Sequence, residues 1–134
     1  MAKIIDIEGI GPAYAKKLAT AGVTTTGRLL KLAADSAGRK DLAKTADVTT
    51  KQVLEWVNRA DLMRIKGVGT QYSDLLEASG VDTVVELAQR NAQNLFVKMI
   101  DVNGAKKLVR QIPSAEQVEA WVAQAKKLPR VISH

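Results

Sequence analysis

The stretch Ile7-Glu8-Gly9-Ile10-Gly11-Pro12-Ala13-Tyr14-Ala15-Lys16-Lys17-Leu18 returns further along the chain as Ile65-Lys66-Gly67-Val68-Gly69-Thr70-Gln71-Tyr72-Ser73-Asp74-Leu75-Leu76. In each copy two glycines flank one β-branched apolar residue, and an amphipathic helical pattern starts at once. Glycine permits positive φ and close approach of other atoms, so a Gly-apolar-Gly step turns the chain tightly and points several backbone N–H groups outward. The amides that open the next helix lack intrahelical acceptors and carry the positive end of its dipole. Such a turn reads in two ways. It is a cradle for a phosphate, or it is an interhelical corner that uses glycine only to pack.

Outward from the first copy, Pro12 sits in the first turn of a helix predicted to run to about Ala21, with Tyr14, Leu18 and Ala21 on one face and Gly22 as its stop. Val23-Thr24-Thr25-Thr26 offers hydroxyl caps for a second helix reaching about Ala34, and a third is expected from about Gly38 to Ala46. Thr49-Thr50-Lys51-Gln52 fits a capping box, followed by Val53, Trp56, Val57 and Ala60 at helical spacing. That fourth helix runs through Leu62-Met63 into the second glycine turn with no linker. Beyond it the pattern predicts a helix over 70–79 stopped by Gly80, a capping box at Thr83-Val84-Val85-Glu86 before Leu87-Ala88, then two more helices over 91–100 and 104–112, broken by the turn-forming run Asp101-Val102-Asn103-Gly104. Ile112-Pro113 closes that segment. Ser114-Ala115-Glu116-Gln117 is another capping box, Val118, Trp121, Val122, Ala125 and Leu128 repeat the Trp stripe, and Pro129 ends it.

The repeat survives arithmetic. Gly9 to Gly67 and Gly22 to Gly80 are both offset by 58, whereas Gln52 to Gln117 and Trp56 to Trp121 are both offset by 65. The second half therefore carries seven extra residues, expected near Ala92 to Gly104. Fixed-offset matches at Gly, Gln, Trp and Tyr indicate an internal duplication. The expected architecture is all-α, about nine short helices in two fused repeats, residues 1–64 and 65–134, packed as one elongated body. Trp56 and Trp121 read as core anchors of their stripes, and Tyr14 and Tyr72 as braces for the turns they follow.

Composition limits the chemistry. At 134 residues the chain can bury a real core, and with one Phe, two Tyr and two Trp that core must be built from Leu, Val, Ile and Ala. There is no cysteine, and His134 is the sole histidine, so disulfides, thiolate or imidazole metal clusters and the usual nucleophile–base constellations have no material. No carboxylates are gathered at a catalytic spacing, and no cofactor motif is present. The N-terminus is charged too early for a signal peptide and no apolar run is long enough for a membrane span, so a cytoplasmic location without membrane contact is expected. The net charge of +6 suits an acidic partner and is spread out, with ten Lys and Arg in residues 1–60 and ten in residues 61–134.

Ile7-Glu8-Gly9-Ile10-Gly11-Pro12 through Ala15 resembles the helix-hairpin-helix motif of DNA repair and recombination proteins. The run from Val53 through Trp56, Asn58-Arg59-Ala60-Asp61 and Arg64 to Gly69, together with Gly80-Val81-Asp82-Thr83, Leu87-Ala88-Gln89-Arg90-Asn91 and Leu128-Pro129-Arg130-Val131, resembles the bacterial domain-of-unknown-function family 4332. This second resemblance covers essentially the whole chain. The helix-hairpin-helix resemblance implies sequence-independent contact with a DNA backbone, hairpin amides on phosphate oxygens, and a basic residue early in the next helix. Two residues past the second glycine, where many members place that cation, this chain has Ala13 and Gln71.

The candidate binding residues are therefore Gly9, Ile10, Gly11, Lys16 and Lys17 in the first copy and Lys66, Gly67 and Gly69 in the second. Lys106, Lys107 and Arg110 join them, expected on about one turn of a helix, where the plain alternative is a solvated face. Lys16 and Lys17 make the first hairpin the better equipped, because Asp74 stands at the matching place in the second. The expected function is non-enzymatic binding of nucleic acid through phosphates. The alternative is a scaffold that uses the same fold to bind a protein partner. A lysine-based lyase would need a lysine with a depressed pKa, and no lysine in the sequence stands out.

Overall fold

Six of the eight α-helices among the described residues open on a side chain that accepts a hydrogen bond from the first turn. The elements belong to a computed structural model that describes residues 2–134. Thr25 accepts from the Arg28 amide (3.1 Å) at the start of α2, Thr26–Leu32, and Asp35 from Gly38 (2.7 Å) at α3, Ser36–Ala46. Thr49 accepts from Gln52 (3.0 Å) at α4, Thr50–Leu62. Thr83 accepts from Glu86 (3.3 Å) at α6, Val84–Ala88. Asn91 accepts from Asn94 (3.0 Å) at α7, Ala92–Lys106, and Ser114 from Gln117 (3.1 Å) at α8, Ala115–Lys127. Each cap satisfies one of the amides a helix start otherwise leaves unpaired. The two exceptions are α1, Pro12–Thr20, and α5, Thr70–Ala78, which begin on Gly11 and Gly69.

The capping boxes at Thr49 and Ser114 are complete, with Gln52 and Gln117 side chains accepting from the cap amides at 3.0 and 2.8 Å. At Thr83 the glutamate reaches one residue further, to the Asp82 amide at 3.2 Å. The fold is all-α. A 3-10 turn at Ile4–Asp6 precedes α1, and the only extended pairing among the described residues is an isolated bridge between Lys3 and Thr25. Among the described residues no helix is long and apolar enough to cross a membrane.

Two compact units divide the chain, one comprising residues up to Asp61 together with Val131–His134, the other Leu62–Arg130. In the first, α1 packs on α3 and on the 3-10 turn, and α2 on α3. Leu18, Val23, Leu29, Ala33, Val53 and Val57 are its most deeply buried residues. Arg39 is 6% exposed and donates to the carbonyls of Ala33 (3.2 Å), Ala34 (2.9 Å) and Ser133 (2.8 Å), so one guanidinium closes the end of α2 and holds the C-terminal segment. In the second unit α8 lies against α6 and α7, and α5 against α7, around Leu62, Ile65, Leu75, Leu76, Leu95, Met99 and Trp121.

One expectation fails. The break at Asp101–Gly104 is absent, and the two helices predicted over 91–100 and 104–112 are the single helix α7, which ends at Lys107 in the left-handed region (φ 52°). The turn-forming composition is overridden by tertiary contacts. Val102 packs on the core, and the Asn103 side chain clamps the backbone of Val109, donating to its carbonyl (3.1 Å) and accepting from its amide (2.9 Å). Residues 108–113 are consequently a loop. The seven extra residues are also distributed. The repeat offset falls to 56 between the caps Asp35 and Asn91, rises to 60 between the left-handed residues Asp47 and Lys107, and reaches 65 at Thr49 and Ser114. One extra helical turn and a longer loop before α8 account for it.

In α3, Gly38 lies so close to α2 that a methyl group there would overlap the Leu32 carbonyl oxygen. Gly38→Ala, although it raises helix propensity, is expected to destabilise the protein by about 1–3 kcal/mol through forced separation of α2 and α3. A urea titration followed by circular dichroism measures it.

Candidate nucleic-acid interface

In the first unit the hairpin is closed by the Ile10 amide on the Ile7 carbonyl (3.1 Å), with Gly9 at φ +91°. In the second, the Val68 amide bonds the Ile65 carbonyl (3.0 Å), with Gly67 at φ +94°. Ile10 and Val68 turn inward and are 4% and 5% exposed, so they anchor the turn. A tryptophan lies beneath each first glycine. A Cβ on Gly9 would stand 3.9 Å from Trp56 Nε1, and one on Gly67 only 3.2 Å from Trp121 Nε1. Tyr14 and Tyr72 close the other side, their ring centroids each 5.3 Å from the indole and tilted by 57° and 54°. Their hydroxyls are held, Tyr14 accepting from Gln52 Nε2 (2.9 Å) and Tyr72 donating to the Gln111 carbonyl (3.0 Å). Both tryptophans are core anchors and both tyrosines brace the hairpins.

The second glycine of each pair is different. Gly11 and Gly69 have φ of −88° and −101°, backbone open to any residue, and a Cβ at either would meet nothing within 4 Å. Nothing inside the protein requires glycine there. These are also the two helix starts with no side-chain cap, so their first-turn amides face outward past a position that carries no side chain. Pro12 has no N–H, so the first turn of α1 has one backbone donor fewer than that of α5.

The cations fall unevenly. Lys16 is exposed. Lys17 is drawn to the end of α3, its Nζ 3.2 Å from the Asp47 carbonyl and 4.0 Å from the Asp47 carboxylate, with the Tyr14 ring centroid at 5.9 Å. In the second unit a surface hollow is lined by Gly67, Gly69, Thr70, Gln71 and Tyr72 and, from the loop before α8, by Arg110 and Gln111. Asp74 is half-buried and does not line it. Lys66 is exposed, and its amide donates to Gln124 Oε1 of α8 (2.6 Å), tying the hairpin to that helix.

Lys106, Lys107 and Arg110 do not form one turn of a helix. Lys106 is the last residue of α7, Lys107 its left-handed cap, and Arg110 lies in the loop. The Asn103 clamp on Val109 is what redirects the chain and parts Arg110 from the two lysines. Sequence reading missed that Arg110 lines the same hollow as Gly69, forty-one positions earlier. It also missed Gln52 and Gln124 as hairpin supports, since no spacing connects them to the glycines.

The two glycines of a hairpin therefore have opposite mutational signatures. Gly67→Ala should destabilise by about 1–2 kcal/mol, from the positive φ and the indole beneath it. Gly69→Ser should raise stability by a few tenths of a kcal/mol by supplying the missing cap. Thermal melts of the two variants check both signs.

Comparison with known proteins adds a family and no named activity. No curated protein and no solved structure matches the chain. One family profile does, across residues 8–128, and its description is a domain of unknown function, number 4332. That span takes in both hairpins, both tryptophan helices and the α7–α8 loop, and the chain belongs to this family.

Proposed function

We propose that this protein binds the phosphate backbone of nucleic acid without reading its sequence, through the two glycine turns acting as helix-hairpin-helix elements. The observation that carries this reading is the second glycine of each turn. A structural corner accounts for Gly9 and Gly67, but it gives no reason for Gly11 and Gly69, which have ordinary φ and open space where a Cβ would be. Close approach of a ligand to uncapped amides is a reason. The hollow beside Gly69 adds a guanidinium from Arg110, which suits two phosphate oxygens at once.

This reading reverses the expected ranking of the hairpins. Lys17 is engaged with Asp47, whereas Arg110 gives the second hairpin the cation that its own helix lacks. Exposed Lys66 and Lys16 add general attraction, as do Lys106 and Lys107, exposed just before the loop that carries Arg110. The chemistry proposed is binding, by backbone amides and cations.

A protein partner is the second reading. It is favoured by a groove in the second unit lined by Ala92, Val122 and Ala123, by Arg90, Lys126 and Lys127, which outnumber the one acidic residue Glu119, and by Asn91. An acidic, partly apolar segment suits that groove better than a phosphate chain does.

Fluorescence anisotropy with labelled duplex and single-stranded DNA separates the readings. Binding at low salt should be indifferent to sequence and fall as salt rises. Arg110→Ala should weaken it roughly three- to tenfold and flatten the salt slope by about one contact. Gly69→Ser, although more stable, should weaken it as well, because its hydroxyl takes an amide the phosphate needs. No binding at tens of micromolar protein would overturn the proposal. Unchanged affinity in both Arg110→Ala and Lys16→Ala/Lys17→Ala would reduce the hairpins to corners.

A further inference from the structure

α7 presents an outward face whose counterpart in the first repeat is polar. Aligned on their caps Asp35 and Asn91, α3 and α7 place Asp41 opposite Val97 and Lys44 opposite Ile100. Asp41 and Lys44 are exposed, as a solvent-facing position requires. Val97 and Ile100 occupy the same face and are 49% and 39% exposed, two of the three large hydrophobic residues left exposed among the described residues. Leu95 and Met99, fully buried, already supply this helix's attachment to its own core, so Val97 and Ile100 are not needed there.

The face extends beyond that pair. Gln93, Val97, Ile100 and Gly104 follow at spacings of four, three and four, the seam of a two-helix contact. Gly104 sits inside the last turns of α7, where glycine costs about 1 kcal/mol relative to alanine. A Cβ there would meet nothing in its own chain, so no intramolecular contact explains the glycine. Close approach of a second backbone does. That turn also belongs to the extra length that distinguishes α7 from α3.

Charge selects the occupant. Lys98 and Asp101 flank the seam on one side, both are exposed, and neither has an ion-pair partner in its own chain among the described residues. An antiparallel second α7 with its two-fold axis between Val97 and Ile100 sets Val97 of each copy against Ile100 of the other and Gly104 against Gln93. The same axis brings Asp101 of each copy beside Lys98 of the other. A parallel pairing sets that charged side against the opposite one, where Phe96 and Asn103 stand, and makes no such pair. We infer that α7 is a self-association surface, on which a second copy of this chain packs antiparallel through Val97, Ile100 and Gly104, with reciprocal Lys98–Asp101 pairs. The contact is short, below the area of a standard stable interface, so the dimer is weak and concentration-dependent.

Sedimentation equilibrium of the nuclease-treated protein, from a few micromolar to several hundred micromolar, tests this without nucleic acid present. The wild type should pass from monomer to dimer across that range. Val97→Asp/Ile100→Lys, which copies the first repeat, should be monomeric throughout with an unchanged circular dichroism spectrum. Lys98→Glu alone should weaken association at least tenfold by opposing two carboxylates, and Lys98→Glu/Asp101→Lys should restore it. A wild type that stays monomeric over the whole range, or a dimer untouched by the Val97/Ile100 change, overturns the surface. Failure of the double charge exchange to restore association overturns the antiparallel pairing.

Discussion

Each half of this protein depends on a tryptophan packed beneath a glycine turn. A Cβ on Gly67 would press on Trp121 Nε1 at 3.2 Å and one on Gly9 would touch Trp56 Nε1 at 3.9 Å, and the positive φ of both glycines, which favours glycine by itself, turns the chain there. Tyr14 and Tyr72 then lean on the other side of the indole, which fixes where α1 and α5 begin and how they are rotated. The hairpin is thus a product of long-range packing between the turn, the helix that follows it and a helix about fifty residues away. A tight turn held this way has the direction of its amides set by the core.

What each unit adds to that common frame differs. In the first, the segment between α3 and α4 is short and Asp47 ends α3 close enough to engage Lys17. In the second, an extra turn on α7 and a longer loop carry the chain back to the hairpin, where the Gln111 carbonyl takes the Tyr72 hydroxyl and Arg110 borders the same hollow as Gly69. Duplication followed by a small insertion has made one hairpin rely on its own helix and the other on a loop. The insertion also gives α7 the additional turn on which Gly104 sits, so a single change in length bears on both the hairpin and the outward face of that helix.

Much of this was legible in the chain because it rests on local rules. The capping residues Thr25, Thr49, Thr83 and Ser114 name their helices, since a side-chain oxygen three residues before the amide it accepts is a matter of sequence spacing. The glycine turns, the tryptophan stripes and the duplication are likewise visible as repeated spacing. The break at Asp101–Gly104 misled because turn propensity is weak compared with burial of Val102 and a two-bond clamp by Asn103. Arg39 gave no sign of its three carbonyl partners, because none of them is a charged residue that sequence could have paired with it.

By itself, then, the sequence determined an all-α duplicated fold, the position of both hairpins and the roles of Trp56, Trp121, Tyr14 and Tyr72. These follow from periodicity, caps and glycine, which act over a few residues. Only the tertiary structure decided that Gly9 and Gly67 are needed by the core while Gly11 and Gly69 are not, and that Lys17 is turned toward Asp47. It alone placed Arg110 on the same hollow as a glycine forty-one positions earlier and left Val97 and Ile100 facing outward. Those outcomes depend on which surfaces meet when helices pack, and the distance along the chain between the partners carries no information about it.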